Sequence, residues 1–109
     1  MDKVFVVKRV AEKLWSTEDA IDAAIAETSQ LMNELLEARK ELKVSHLVID
    51  GSTTKLAASM AALADARKAM MDAHHELYEA KLRIGVRMDT GIPSVPQHIE
   101  KEAKAKKAS

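Results

Sequence analysis

The chain contains no cysteine, and it has only 3 glycines, 2 prolines and 3% aromatic residues among its 109 positions. Without thiols it cannot form a disulfide scaffold, use a cysteine nucleophile or bind zinc or an iron–sulfur cluster through sulfur. The scarcity of glycine and proline argues against a β-sandwich and favours helix. No apolar run approaches the ~18 residues that a membrane-spanning helix needs.

Net charge is also lacking, because 17 basic residues balance 17 acidic residues. No overall field therefore attracts the chain to nucleic acid or to a membrane surface. The charges are unevenly placed: every charged residue from Glu18 to Glu37 is acidic, whereas basic residues accumulate towards the C-terminus. This distribution favours electrostatic attraction within one chain or between copies.

A seven-residue repeat of large side chains is the strongest pattern that is present. The first row is Val7, Leu14, Ile21, Thr28, Leu35, Leu42 and Ile49, with a companion row three residues further on that includes Val10 and Leu31. The second row is Leu56, Leu63, Met70, Leu77 and Ile84, with companions Ser59, Ala66, Ala73 and Ala80. Each repeat predicts a long helix with a left-handed coiled-coil seam.

The two repeats are separated by the sequence Asp50-Gly51-Ser52-Thr53. Gly51 can adopt the left-handed conformation that ends a helix, and Ser52 or Thr53 can cap the next one. A turn this short makes its helices antiparallel neighbours. The predicted fold class is therefore all-α, an antiparallel helical hairpin of the coiled-coil type.

Three regions are predicted along the chain: a helical extension over residues 1–15, the hairpin over 16–88 with its turn at 50–53, and a flexible basic tail over 89–109. Two interpretations of this extension stay open: it continues the first helix, or a new helix begins near Ser16. Val7 and Leu14 keep the phase of the first helix, whereas Ser16 followed by Asp19 resembles a helix start. The short apolar stretch near the N-terminus ends at Lys8-Arg9 without the features of a signal peptide, which predicts a cytoplasmic protein.

A two-helix hairpin is too thin to cover its own apolar surface, because Ile25 and Met32 flank the first seam and Met60 flanks the second. A homodimeric four-helix bundle is the simplest solution, although the pattern leaves a higher oligomer open. His74, in the row Met60, Arg67, His74 and Lys81, is interpreted as flanking this interface. The predicted interface residues are Leu14, Ile21, Ile25, Leu31, Met32, Leu35, Leu42, Leu56, Met60, Leu63, Met70, Leu77 and Ile84.

No motif for enzymatic chemistry is present: no serine lies in a glycine-flanked elbow, and there is no glycine-rich phosphate loop. The sequence predicts no enzyme and no cofactor. Asp72, His75 and Glu79 share one helix face at spacings of three and four, so they are weak candidates for a metal site. A solvated polar face is the favoured interpretation, because these residues lie away from the seam.

Basic residues near the C-terminus are weak candidates for nucleic-acid contacts through phosphate. No aromatic residue is interleaved for base stacking, and cations at a helix C-terminus explain part of the pattern. The residues concerned are Lys81, Arg83, Arg87, Lys101, Lys104, Lys106 and Lys107.

The sequence favours a non-enzymatic structural or adaptor module that associates with itself and with another protein. Two alternatives remain: a nucleic-acid-associated protein that uses the basic C-terminal end, and a carboxylate/histidine metal-binding bundle.

Overall fold

The computed structural model describes residues 2–87 and 90–92. It contains helix α1 at Lys3–Leu42, a short 3-10 turn at His46–Val48 and helix α2 at Asp50–Arg83. No strand occurs within these described ranges. The prediction of an all-helical chain with two long packed helices is confirmed, and the arrangement is consistent with a helical hairpin. No helix in the described part carries an apolar stretch long enough to cross a lipid bilayer.

Helix α1 begins at the N-terminus of the described chain and runs without a break through Ser16. Asp2 caps it, since Oδ1 of Asp2 accepts a hydrogen bond of 3.0 Å from the backbone N–H of Val4. Thr17, next to the alternative start, lies inside the helix and donates its hydroxyl to the carbonyl of Lys13 at 2.8 Å. The extension over residues 2–15 therefore continues the first helix, and the helix start suggested by Ser16 and Asp19 is wrong.

The connection between the helices lies at residues 43–49 and not at 50–53. Lys43 ends α1 in the left-handed conformation, with φ 55°. Its N–H donates to the carbonyl of Lys40 at 3.1 Å, and the N–H of Val44 donates to that of Arg39 at 3.3 Å. These two bonds are the Schellman pattern of a helix C-terminus. Lys43 therefore ends α1 in the left-handed conformation, a role that the sequence predicted for Gly51.

Asp50 and Gly51 form the first turn of α2 instead of a loop. Asp50 supplies the acidic residue that a helix N-terminus favours. The predicted capping role of Ser52 or Thr53 is wrong, because both lie within α2. Thr53 donates its hydroxyl to the carbonyl of Asp50 at 3.0 Å, while Ser45 caps the 3-10 turn by accepting from the N–H of Leu47.

A second Schellman pattern ends α2. Gly85 has φ 89°, its N–H donates to Leu82, and the N–H of Val86 donates to the carbonyl of Lys81. Val86 is buried, as expected of the residue that makes the hydrophobic contact in this motif. Helix α2 therefore ends at Arg83, five residues before the predicted boundary at 88.

The chain divides into two compact units, and both contain parts of the two helices. The first contains the described residues up to Asp19 and from Lys68 onward, and the second is Ala20–Arg67. The first unit holds the buried hydrophobic core, which consists of Val7, Ala11, Leu14, Val86 and Ile92.

The segment that follows α2 contributes to this core. Ile92 and Thr90 are buried, and Gly91 has φ 94°. A Cβ on Gly91 would lie 3.3 Å from Cβ of Ala11 and 3.6 Å from Cζ2 of Trp15. Residues 90–92 are therefore packed against α1, which corrects the prediction of a flexible tail for this short stretch. Residues 93–109 of that predicted tail lie outside the described part of the chain.

The inner rows of the helices differ from the predicted seam in one respect. The row four residues after the main row is more buried than the predicted row three residues after it: Ala11 is buried and Val10 is exposed, and Met32 is half-buried whereas Leu31 is 56% exposed. In α2 the inner companion row is Met60, Arg67, His74 and Lys81. In a heptad seam the inner residues are separated by alternating steps of three and four. Apolar residues occur at both steps in this sequence, so the pattern alone did not show which of the two rows faces the other helix.

Candidate interaction surface

The unit Ala20–Arg67 contains no buried residue, although the structure describes every position in it. Its large inner side chains are only half-buried, and they come from both helices. Leu31 and Leu36 are exposed. The half-buried members are Ile21, Ile25, Met32, Leu35, Leu56, Met60 and Leu63. This unit is therefore the part of the described chain with the least protected apolar surface.

The predicted interface residues fall into three classes of exposure. Leu14 is buried in the core of the first unit, and Met70 and Leu77 are half-buried beside that core. Leu31, Leu42 and Ile84 are exposed. The remaining members are the half-buried residues of the second unit. The prediction thus mixed residues of the internal seam with residues that face outwards.

A polar pair accompanies the apolar rows of the second unit. Nε of Arg67 lies 3.1 Å from Oδ1 of Asp22, and each side chain is 40% exposed. Because water screens such a pair, its stabilising effect is small, about 0–1 kcal/mol. The pair joins α1 to α2 within this unit.

The connection between the helices exposes three large apolar residues close together in sequence. Leu42 is 71%, Leu47 is 74% and Val48 is 68% exposed. Single exposed apolar residues are common, but a group of this kind is typical of a contact site.

A buried polar pair lies in the first unit. Nδ1 of His74 is 2.9 Å from Oε1 of Glu18, and their side chains are 0% and 12% exposed. A carboxylate oxygen only accepts, so Nδ1 is the donor in this hydrogen bond. His74 therefore belongs to the internal packing, which corrects its interpretation as a residue that flanks an interface between chains.

The basic residues proposed for nucleic acid do not form one surface in the described chain. Lys81 is buried at 6% exposure, while Arg83 and Arg87 are exposed. Lys101, Lys104, Lys106 and Lys107 lie outside the described residues. The nucleic-acid hypothesis therefore stays a prediction.

The three metal candidates are exposed on α2. Nε2 of His75 lies 3.8 Å from Oε1 of Glu79. Within the described residues, no three histidine, cysteine or acidic side chains form a group that could hold a metal ion. The metal hypothesis also stays a prediction.

The chain matches no family model, no curated protein and no solved structure.

Proposed function

We propose that this chain is a non-enzymatic structural or adaptor module that forms a homodimeric four-helix bundle through the unit Ala20–Arg67. The observation that supports this proposal is the absence of any buried residue in that unit, despite its two rows of large apolar side chains. Apolar area removed from water contributes roughly 25 cal/mol per Å², so these rows gain stability when a second layer of helices covers them.

A second copy of the chain suits this surface. A two-fold interface brings the same patch of both copies together, so the two apolar rows cover each other without a further component. The formal net charge of zero removes long-range repulsion between copies. Four helices around a shared apolar core then give the bundle its second layer.

The exposed group Leu42, Leu47 and Val48 supports the adaptor part of the proposal. These residues lie at the end of each hairpin, in and beside the connection between α1 and α2. Leu47 and Val48 suit a contact with a different protein, because they lie in the connection and outside the two seven-residue rows, whereas Leu42 is the last member of the first row within α1. A cytoplasmic location, as predicted from the sequence, is part of the same proposal.

Leu31→Asp tests the proposed dimer without disturbing the inside of one chain. Leu31 is 56% exposed, so a carboxylate there is hydrated in a monomer but loses water in a dimer interface. We expect at least a tenfold weaker dimer by sedimentation equilibrium, with an unchanged helical circular dichroism spectrum. Leu35→Asp and Leu63→Asp should also abolish assembly, but they add a charge to the half-buried rows within the chain.

Ala58→Asp is the matched control, because Ala58 is an exposed residue of α2 in the same unit and is not among the predicted interface residues. It should leave the dimer constant within about twofold. Equal dimerisation of the Leu31→Asp and Ala58→Asp variants would refute an interface at this face.

A further inference from the structure

The first unit contains an apolar groove that the proposed dimer does not use. Its volume is about 190 Å³, and it is lined from α1 by Val7 and Val10, from α2 by Leu77 and Ala80, and beyond α2 by Ile84 and Ile92. All of these residues belong to one compact unit. The groove is thus built from the same elements as the hydrophobic core, and it opens to solvent.

Lys81 is the charged residue in the lining of this groove. Its side chain is buried, and Nζ lies 5.9 Å from the centre of the Tyr78 ring. The aromatic face attracts the ammonium group but does not neutralise it. Among the described residues no carboxylate forms an ion pair with Lys81. A buried cation beside an apolar wall therefore lacks an anionic partner within the described chain.

A second ammonium group lies at the same end of the unit. Nζ of Lys3 donates to the backbone carbonyl of Ile84 at 3.3 Å, and Ile84 lines the groove. The described residues of the lining include no acidic side chain. Two ammonium groups thus lie in or beside the described lining, and the wall itself is apolar.

We infer that this groove binds an aliphatic carboxylate of medium chain length, with the alkyl chain against the apolar wall and the carboxylate at the ammonium group of Lys81. The positive charge of Lys81 favours an anionic ligand, and the apolar wall favours a ligand with an alkyl chain. The volume equals that of about six water molecules at ~30 Å³ each, and a methylene group is similar in size. The groove therefore has room for about six alkyl carbons, so an eight-carbon carboxylate fits if its carboxylate and the adjoining carbon lie at the opening.

Octanoate is the probe, and Trp15 supplies the signal. Trp15 is the single tryptophan of the chain, and its ring lies near Gly91, the neighbour of the groove residue Ile92. We expect octanoate to change the emission of Trp15 in the full-length protein at pH 7, with saturation at one molecule per chain. The uncharged analogue 1-octanol should bind about tenfold more weakly, because its hydroxyl carries no negative charge to pair with the ammonium group.

Lys81→Met keeps a long apolar side chain but removes the charge, so it should weaken octanoate about tenfold and change 1-octanol less than twofold. Lys68→Met removes an exposed lysine of α2 in the same unit and should leave both affinities unchanged. The ratio of the affinities for octanoate and 1-octanol, measured on the unaltered protein, tests the proposal even if Lys81→Met fails to fold.

Three results would overturn the proposal: equal affinity for octanoate and 1-octanol, an unchanged octanoate affinity in a folded Lys81→Met variant, or no saturation with octanoate. If octanoate does not bind and Lys81→Met instead lowers the assembled mass, the groove is occupied by a second copy. Octanoate binding is measured per chain from Trp15 emission, whereas the dimer is measured by its mass. Absence of octanoate binding is therefore distinguishable from absence of the dimer.

Discussion

Nδ1 of His74 lies 2.9 Å from Oε1 of Glu18, and this hydrogen bond joins α2 to α1 between two side chains that are almost completely removed from water. The residues are 56 positions apart in sequence. A buried polar group is stabilising only while its partner is present, since an unpaired one keeps its desolvation cost. The pair therefore favours one register of α1 against α2 over neighbouring registers.

His74→Ala should lower the free energy of unfolding by about 2–4 kcal/mol, because it opens a cavity and leaves Glu18 without its donor. Urea denaturation followed by circular dichroism measures this change. Unfolding of an oligomer depends on concentration, so all variants are compared at one protein concentration.

His75→Ala is the matched control, because the adjacent His75 is exposed on the surface of α2. It should change stability by less than about 0.5 kcal/mol. Similar losses in the two variants would contradict a structural role for the buried pair.

The sequence predicted the helices well because their signal is periodic and long. Val7, Leu14 and Leu35 in α1 and Leu56, Leu63 and Leu77 in α2 repeat every seven residues, and each is buried or half-buried as expected. The sequence predicted the less buried companion row, three residues after the main row, for a physical reason. Inner positions such as Glu18, His74 and Lys81 are polar, and their burial depends on contacts between the helices, which a hydrophobic pattern does not contain.

The connection was misplaced because glycine is the usual residue in the left-handed conformation. Here the lysine at position 43 adopts it, at an energetic cost of roughly 1–2 kcal/mol, while Gly51 does not. The burial of Ile92 was missed for a different reason. It follows Gly91 in a segment without periodicity, and its partners Val7 and Leu14 lie about 80 residues away along the chain.

Lys43→Gly should raise the free energy of unfolding by about 1 kcal/mol, because glycine adopts positive φ without steric cost. Gly51→Ala should also stabilise, by about 0.5–1 kcal/mol, because Gly51 lies in a helix and a Cβ there meets nothing within 4 Å. Thermal unfolding measures both changes. If Gly51 ended α1 as the sequence suggested, Gly51→Ala would destabilise the protein.

Gly91→Ala should destabilise the protein by about 1–2 kcal/mol, because its φ of 94° is unfavourable for a residue with a Cβ. The added carbon would also approach Cβ of Ala11 at 3.3 Å. The emission spectrum of Trp15 should shift in the same variant, since the ring lies beside this position. An unchanged stability and spectrum would show that residues 90–92 do not pack on α1 in solution.

Thr90→Val should stabilise the protein by about 1 kcal/mol. The hydroxyl of Thr90 is buried and has no hydrogen-bond partner among the described residues, so replacing it with a methyl group removes an uncompensated desolvation cost. Thr54→Val at an exposed position of α2 is the control and should change stability by less than about 0.5 kcal/mol. Destabilisation by Thr90→Val would mean that this hydroxyl is hydrogen-bonded in solution.

The mass of the full-length protein in solution tests the proposed self-association most directly. Sedimentation equilibrium, repeated at low and at high salt, separates the apolar contribution from charge attraction between copies, because salt screens only the charges. The proposed interface predicts twice the 12.0 kDa mass of one chain at both salt concentrations. A mass of 12.0 kDa at micromolar concentration would contradict it.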